Sequence, residues 1–186
     1  MKDRGLNIAL MLMLGLAGYA LALYLDRHAP PPRAQMGAGK SAAPTVQMKV
    51  PEFSFTTLDG QTHNIADFHG KIIVLNFWAS WCAPCQKEFP DLLHIAADKK
   101  EDVVLIALSS DIDQDAVDKF LRKINFAPSE NVLIAIDRDQ HITEGLFQTY
   151  RLPETWIINR HQILKSKLIG AAWNKKDLLS MIEARE

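Results

Sequence analysis

The chain has two cysteines, Cys82 and Cys85, with only Ala83 and Pro84 between them. A pair this close cannot close a distant loop. It can cycle between a dithiol and a local disulfide, so thiol redox chemistry is the first expectation. Other uses fit poorly. Half a zinc site lacks a second Cys or His pair at ligand spacing. A structural staple over so short a loop removes little chain entropy. Covalent haem attachment wants a histidine directly after the second cysteine, and Gln86 stands there.

The surroundings assign the two sulfurs different work. Residues 72–79 form a near-continuous apolar run, as expected of a strand covered on both faces. A helix should follow, with Phe89, Leu92, Leu93 and Ala96 as its apolar stripe. Cys82 then lies at a strand-to-helix junction, where free N–H groups and the helix dipole favour a thiolate. Its pKa should fall below the free value of about 8.5. Cys82 is therefore the expected nucleophile toward a partner disulfide. Cys85, one turn on and more inward, is the expected resolving thiol. Pro84 suits the first helical turn, where its missing N–H costs little. Trp81 is either a shield over the sulfur or a rim aromatic, and Trp78 reads as core.

Glu88 follows Cys85 by three residues on the same helix face. A buried Glu88 with a raised pKa would suit proton exchange with the Cys85 thiol. Spacing alone favours an ordinary exposed glutamate beside Lys87. Asn76 faces the same region from the strand and can hydrogen-bond without titrating. Pro153 precedes an apolar strand. A cis Leu152–Pro153 bond would leave Leu152 backbone groups free beside a substrate, but only about 5–6% of X-Pro bonds are cis.

The remaining elements form a frame for this site. Phe53 and Phe55 alternate with other residues, Asp59-Gly60 marks a hairpin turn, and residues 62–65 read as the second strand. Residues 103–108 and 132–136 read as buried strands. Between them Asp111 or Asp113 caps a helix with Val117, Phe120, Leu121 and Ile124 on one face. A short helix over residues 142–150 precedes Leu152-Pro153-Glu154. Strands at 155–158 and 163–169 flank a turn, and Asn174 caps a last helix carrying Leu178, Leu179 and Ile182. The pattern is α/β, mostly parallel, with an antiparallel edge.

The N-terminus has another character. Residues 6–25 are almost purely apolar after a short basic tail at 1–5. Their length approaches the roughly 20 residues that cross a bilayer. A cleaved signal peptide is the other reading, with Ala20-Leu21-Ala22 as its cleavage site. The apolar run outlasts a usual signal core of about 7–15 residues, which favours a retained anchor. Basic residues flank both ends, so charge does not set the orientation. Residues 26–49, with Pro30, Pro31, Pro32 and Pro44 among Ala, Gly and Ser, read as an extended tether, and 50–186 as the folded domain. A net charge of −1 supplies no electrostatic reason for a nucleic-acid partner. The six histidines show no metal-ligand spacing, so neither a metal nor another cofactor is expected.

The run from Asn76 through Trp81-Cys82-Ala83-Pro84-Cys85 to Lys87-Glu88-Phe89-Pro90 resembles the active-site stretch of the TlpA/ResA/CcmG group. Those proteins are membrane-tethered thioredoxin-like thiol:disulfide oxidoreductases facing the extracytoplasmic side of bacteria. Phe53-Ser54-Phe55, Leu58-Asp59-Gly60, the stretch 67–71 and Leu152-Pro153-Glu154-Thr155 are similar to that group as well. The resemblance implies a thioredoxin fold with an N-terminal β-hairpin and a central insertion. It also implies a cis Leu152–Pro153 bond, a substrate-binding surface of Trp81, Pro84, Leu152 and Pro153, and a buried, functional Glu88. The implied role is reduction of protein disulfides, typically those of apocytochrome c. The domain would face the periplasm from a single-pass inner-membrane anchor, with a membrane thiol–disulfide electron donor as partner. The Ala83-Pro84 pair is not the one typical of every cytochrome-maturation member, and Tyr150-Arg151-Leu152 lacks the Gly-containing stretch common in the CcmG branch.

Two other functions compete. Phe53-Ser54-Phe55 with Asp59-Gly60 is also similar to peroxiredoxins, thiol peroxidases that place a Thr three residues before the peroxidatic cysteine. Ala79 occupies that position here. A tethered thioredoxin-like binding or chaperone module would have no use for both cysteines.

Overall fold

The computed structural model describes Tyr19, Tyr24 and residues 48–184. The chain divides into two units, Met1–Thr45 and Val46–Glu186. Apart from Tyr19 and Tyr24, both helical, the expected anchor at 6–25 lies outside the described residues, as does most of the expected tether. Among the described residues no helix is long and apolar enough to cross a membrane.

The second unit begins with a hairpin, β1 (Ser54–Thr56) and β2 (Thr62–Asn64), paired antiparallel. Its turn needs Gly60, whose φ of 85° lies in the left-handed region. The second strand stops one residue short of the expected Ile65. Asn64 instead caps a 3₁₀ turn over Ile65–Phe68, accepting from Ala66 N–H at 2.9 Å while Asp67 accepts from Asn64 N–H at 2.7 Å.

Next come β3 (Ile72–Trp78), α1 (Ala83–Asp98), β4 (Val103–Ser109), α2 (Gln114–Lys123) and β5 (Val132–Ile136). A π-helical turn at His141–Leu146 leads to β6 (Glu154–Ile158), β7 (Leu164–Ile169) and α3 (Lys175–Glu183). The sheet order is β5-β4-β3-β6-β7. β3, β4 and β5 run parallel, while β6 and β7 are antiparallel to their neighbours. The halves β3-α1-β4 and β6-β7-α3 flank α2, β5 and the π turn in sequence. This is a thioredoxin-like α/β fold with a mixed sheet.

The period-two alternation of β3 sorts the core. Ile73, Leu75 and Phe77 join the hairpin residues Phe53 and Phe55 on one face. Ile72 and Val74 meet Leu92 and Ile95 of α1 and Leu178 and Ile182 of α3 on the other. Asn76 and Trp78 share that second parity, so strand geometry alone aims Asn76 toward the helices. α1 tolerates Pro90 in its interior. A proline there costs about 3 kcal/mol. Full burial of Phe89, Leu92 and Ile95 offsets it, at about 1.5–3 kcal/mol each.

Both expected caps form. Asp113 accepts from Asp115 N–H at 3.0 Å, and Asn174 makes a capping box with Asp177. The helix expected over 142–150 is shorter. Asp137 accepts from Ile142 N–H, Thr143 N–H and the Thr143 hydroxyl and anchors the π turn. Phe147 then leaves the turn to pack edge-on against Phe53 and Trp156.

Candidate active site

The loop leaving β3 turns directly into α1, and Cys82 is the helix N-cap. Cys82 and Cys85 are joined in a disulfide, their Cα atoms 5.2 Å apart. Cys85 N–H donates to Cys82 Sγ at 3.3 Å, and Gln86 N–H donates to Cys82 O at 3.0 Å. Pro84 occupies the first turn, as its missing N–H allows. The two cysteines are unequally covered: Cys82 is 7% exposed and Cys85 0%. Trp78 is core, its ring tilted against those of Phe89 and Phe120. Trp81 projects outward at 68% exposure.

A buried carboxylate braces this loop. Asp111 accepts from Ser80 N–H and the Ser80 hydroxyl, both at 2.7 Å, and from the Ser109 hydroxyl at 2.5 Å. Its sequence position admitted a helix cap, but Asp113 takes that role. The Asp111 brace spans two strand ends, a relation with no local sequence signal.

Glu88 is 5% exposed, which overturns the exposed glutamate that spacing alone favoured and agrees with the resemblance. The helix face that carries Glu88 packs against β3, not solvent. Asn76 Nδ2 donates to Glu88 Oε1 at 3.0 Å and to Thr155 Oγ1 at 2.9 Å. Asn76 and Thr155 are register partners across β3 and β6. Burial pushes the Glu88 carboxyl from 4.5 up to about 7, and the Asn76 and Trp173 donors hold it from going higher. Even so, Glu88 Oε2 and Trp173 Nε1 form no hydrogen bond of ordinary geometry, and both atoms are buried without a partner. Thr155 and Trp173 were not foreseen in the sequence. A tryptophan before a helix cap reads as packing.

The Leu152–Pro153 bond is cis. Pro153 O accepts from Gly170 N–H at 2.8 Å, fixing the bend to β7. Glu154, the next residue, is buried. Its Oε1 accepts from Thr149 Oγ1 and Trp156 Nε1, each at 2.6 Å, and pairs with Lys167 Nζ at 2.9 Å. Beside Cys82 a groove of about 510 Å³ is lined by Trp81, Pro84, Thr149, Tyr150 and Leu152. Of the residues read as substrate-binding, Trp81, Pro84 and Leu152 line it. Two hollows of similar volume along the hairpin contain no cysteine. Among the described residues no cluster of three or more His, Cys, Asp or Glu side chains could hold a metal ion.

A two-residue-spaced disulfide capping the first helix of such a sheet, with a cis-proline loop after the insertion, defines a thiol:disulfide oxidoreductase of thioredoxin type. The chain belongs to the Redoxin family, whose model matches residues 45–181. It is similar to a thiol-disulfide oxidoreductase ResA of Bacillus cereus, 30% identical over 166 residues, 88% of this chain and 85% of that one. ResA of Geobacillus kaustophilus is 28% identical over 146 residues, 78% and 80% of the two chains. Among solved structures, a thiol:disulfide interchange protein DsbE from Chlorobium tepidum matches with a TM-score of 0.66 at 27% identity. It covers 74% of this chain and 95% of that one. A secreted Mycobacterium tuberculosis disulfide oxidoreductase homologous to E. coli DsbE matches with a TM-score of 0.62 at 26% identity, covering 72% and 96%. The enzyme is a TlpA/ResA/CcmG-like thioredoxin-family oxidoreductase.

Proposed function

We propose that this oxidoreductase is a reductase of disulfides in partner proteins, with Cys82 as nucleophile, Cys85 as resolving thiol and Glu88 as proton acceptor. The observation that carries the reading is the unequal cover of Cys82 and Cys85 on the helix that also carries the buried Glu88, its carboxyl pushed by burial up to about 7. In the reduced enzyme, the Cys82 thiolate attacks one sulfur of the partner disulfide. That S–S bond breaks, a mixed disulfide forms, and the released partner sulfur takes a proton from solvent. Cys85 then passes its proton to the Glu88 carboxylate and attacks Cys82 Sγ. The mixed disulfide breaks as the Cys82–Cys85 disulfide forms, and the second partner sulfur leaves as a thiolate that takes a proton from solvent, which completes the partner dithiol. The partner gains two electrons and the enzyme loses two. A membrane thiol–disulfide donor must return them.

Trp81, Pro84 and Leu152 form the surface that receives the partner chain, in the groove beside Cys82, while Pro153 is buried behind it and sets the course of Leu152 through its cis bond. The apolar run at 6–25 and the proline-rich stretch at 26–49 support a single-pass anchor holding the domain on the extracytoplasmic face of a bacterial inner membrane. Likeness to ResA and DsbE proteins supports the disulfide of apocytochrome c as substrate.

A Cys85→Ser variant should accumulate a mixed disulfide through Cys82, and mass spectrometry of the adduct identifies the partner. Absence of any adduct in the native compartment would remove the reading. The direction is tested separately: a reductase needs a reduction potential well below the roughly −120 mV of a strong oxidant. A value near that figure would reverse the direction.

A further inference from the structure

Two buried polar atoms on the helix side of the sheet lack a hydrogen-bond partner and are chemically complementary. Glu88 Oε2 accepts, and Trp173 Nε1 can only donate. Buried orphans are rare in folded proteins and call for a reason. Trp173 lies in the segment between β7 and α3 and packs against the apolar cluster to which Leu92 of α1 and Leu178 of α3 belong. The residue after it, Asn174, is fixed by its capping box, with bonds of 3.0 and 3.1 Å to Asp177. The indole is therefore held against the face of α1 that carries Glu88.

The need for a donor depends on charge. An ionised carboxyl wants one at each oxygen. Asn76 already serves Oε1, and Trp173 is the unused donor for Oε2. The groups acting on Glu88 are neutral: Asn76 from β3 and Trp173 from the segment before α3. Thr155 of β6, bound to Asn76, is neutral too. On α1 itself the Cys82–Cys85 disulfide carries no charge, and reduction turns both cysteines into titratable thiols.

We propose that Trp173 is a positioning residue for Glu88, donating its indole N–H to Oε2 when the carboxyl ionises. The segment before α3 thereby responds to the charge of the acid beside the disulfide. The inference deepens the reading of Glu88 as proton acceptor and rests on it, but its test is separate.

The test uses the oxidised full-length chain, with carboxyl ¹³C-labelled glutamate followed by NMR. In Trp173→Phe the Glu88 midpoint should move upward by about one pH unit, a tenfold change in ionisation. In the wild type the Trp173 indole N–H resonance should shift at the Glu88 midpoint, and Glu88→Gln should abolish that shift. An unmoved midpoint in a folded Trp173→Phe would overturn the proposal. Should that variant not fold, a wild-type indole resonance that ignores pH overturns it instead. If the indole follows Glu88 while Glu88→Gln leaves the resolution by Cys85 unchanged, the positioning role stands and the proton-acceptor reading fails.

Discussion

Asn76 reaches from β3 to Glu88 on α1, its amide 3.0 Å from the carboxyl, and with the same nitrogen holds Thr155 on β6. One side chain thus ties the central strand, the helix that begins at the disulfide and the strand that follows the cis proline.

The buried acid makes stability depend on pH. The Glu88 carboxyl titrates at 4.5 in the unfolded chain and at about 7 in the folded one. The unfolded chain therefore gives up its proton first, and stability is greatest below 4.5 and is lost as pH rises to 7. The loss is about 3 kcal/mol, with no further change above. Urea unfolding of the oxidised chain should show this slope in the wild type and not in Glu88→Gln. Identical slopes in both proteins would contradict the assignment.

Catalysis should follow the opposite trend. In the proposed mechanism Cys85 gives its proton to the ionised Glu88 carboxyl, so breakdown of the mixed disulfide should quicken as pH rises through about 7. Glu88→Gln should slow it on the order of 10²-fold and flatten its pH profile. Stopped-flow measurement on a preformed mixed disulfide with a small aromatic thiol would check this.

In the reduced enzyme the two thiols should alkylate unequally, since Cys85 is fully covered and Cys82 reaches the groove. Iodoacetamide should label Cys82 at least about tenfold faster. Peptide mapping that found equal labelling would refute the inequality on which the proposed roles rest.

Asp111→Ala should cost about 3 kcal/mol, because it strands the Ser80 and Ser109 donors in a buried place. Asp111→Asn keeps an acceptor and should cost less. Denaturant titration of both variants measures the difference, and parity between them would show that the carboxylate is not the brace.

Lys167→Met should also destabilise the fold, since it leaves the Glu154 carboxylate buried without its cation. Lys167 is about one-third exposed, so the loss should fall near 2 kcal/mol, below the 3–5 kcal/mol of a fully buried pair. Adding Glu154→Gln should recover part of it, read as a rise in Tm.

Much of this frame was legible in the sequence because its signals are local. The apolar run of β3, the periodicity of α2, the Asp59-Gly60 turn and the caps Asp113 and Asn174 depend on neighbours within a turn or a strand. The end of β2 and the length of the π turn were misjudged, because Asn64 and Asp137 form side-chain bonds that override the hydrophobic pattern.

The sequence by itself determined that two cysteines share one helix start, Cys82 ahead of Cys85, because chain spacing and the helix dipole are properties of a short segment. Only the tertiary structure decided what surrounds them. Glu88 could have faced water by its spacing, and its burial depends on β3 packing over α1. Asp111 and Trp173 meet the site from elements 31 residues beyond Ser80 and some 85 beyond Glu88 in the chain. Such meetings are set by the sheet order β5-β4-β3-β6-β7, which puts β3 between strands from both halves of the fold. Burial and long-range hydrogen bonds are products of that order, and no local pattern carries them.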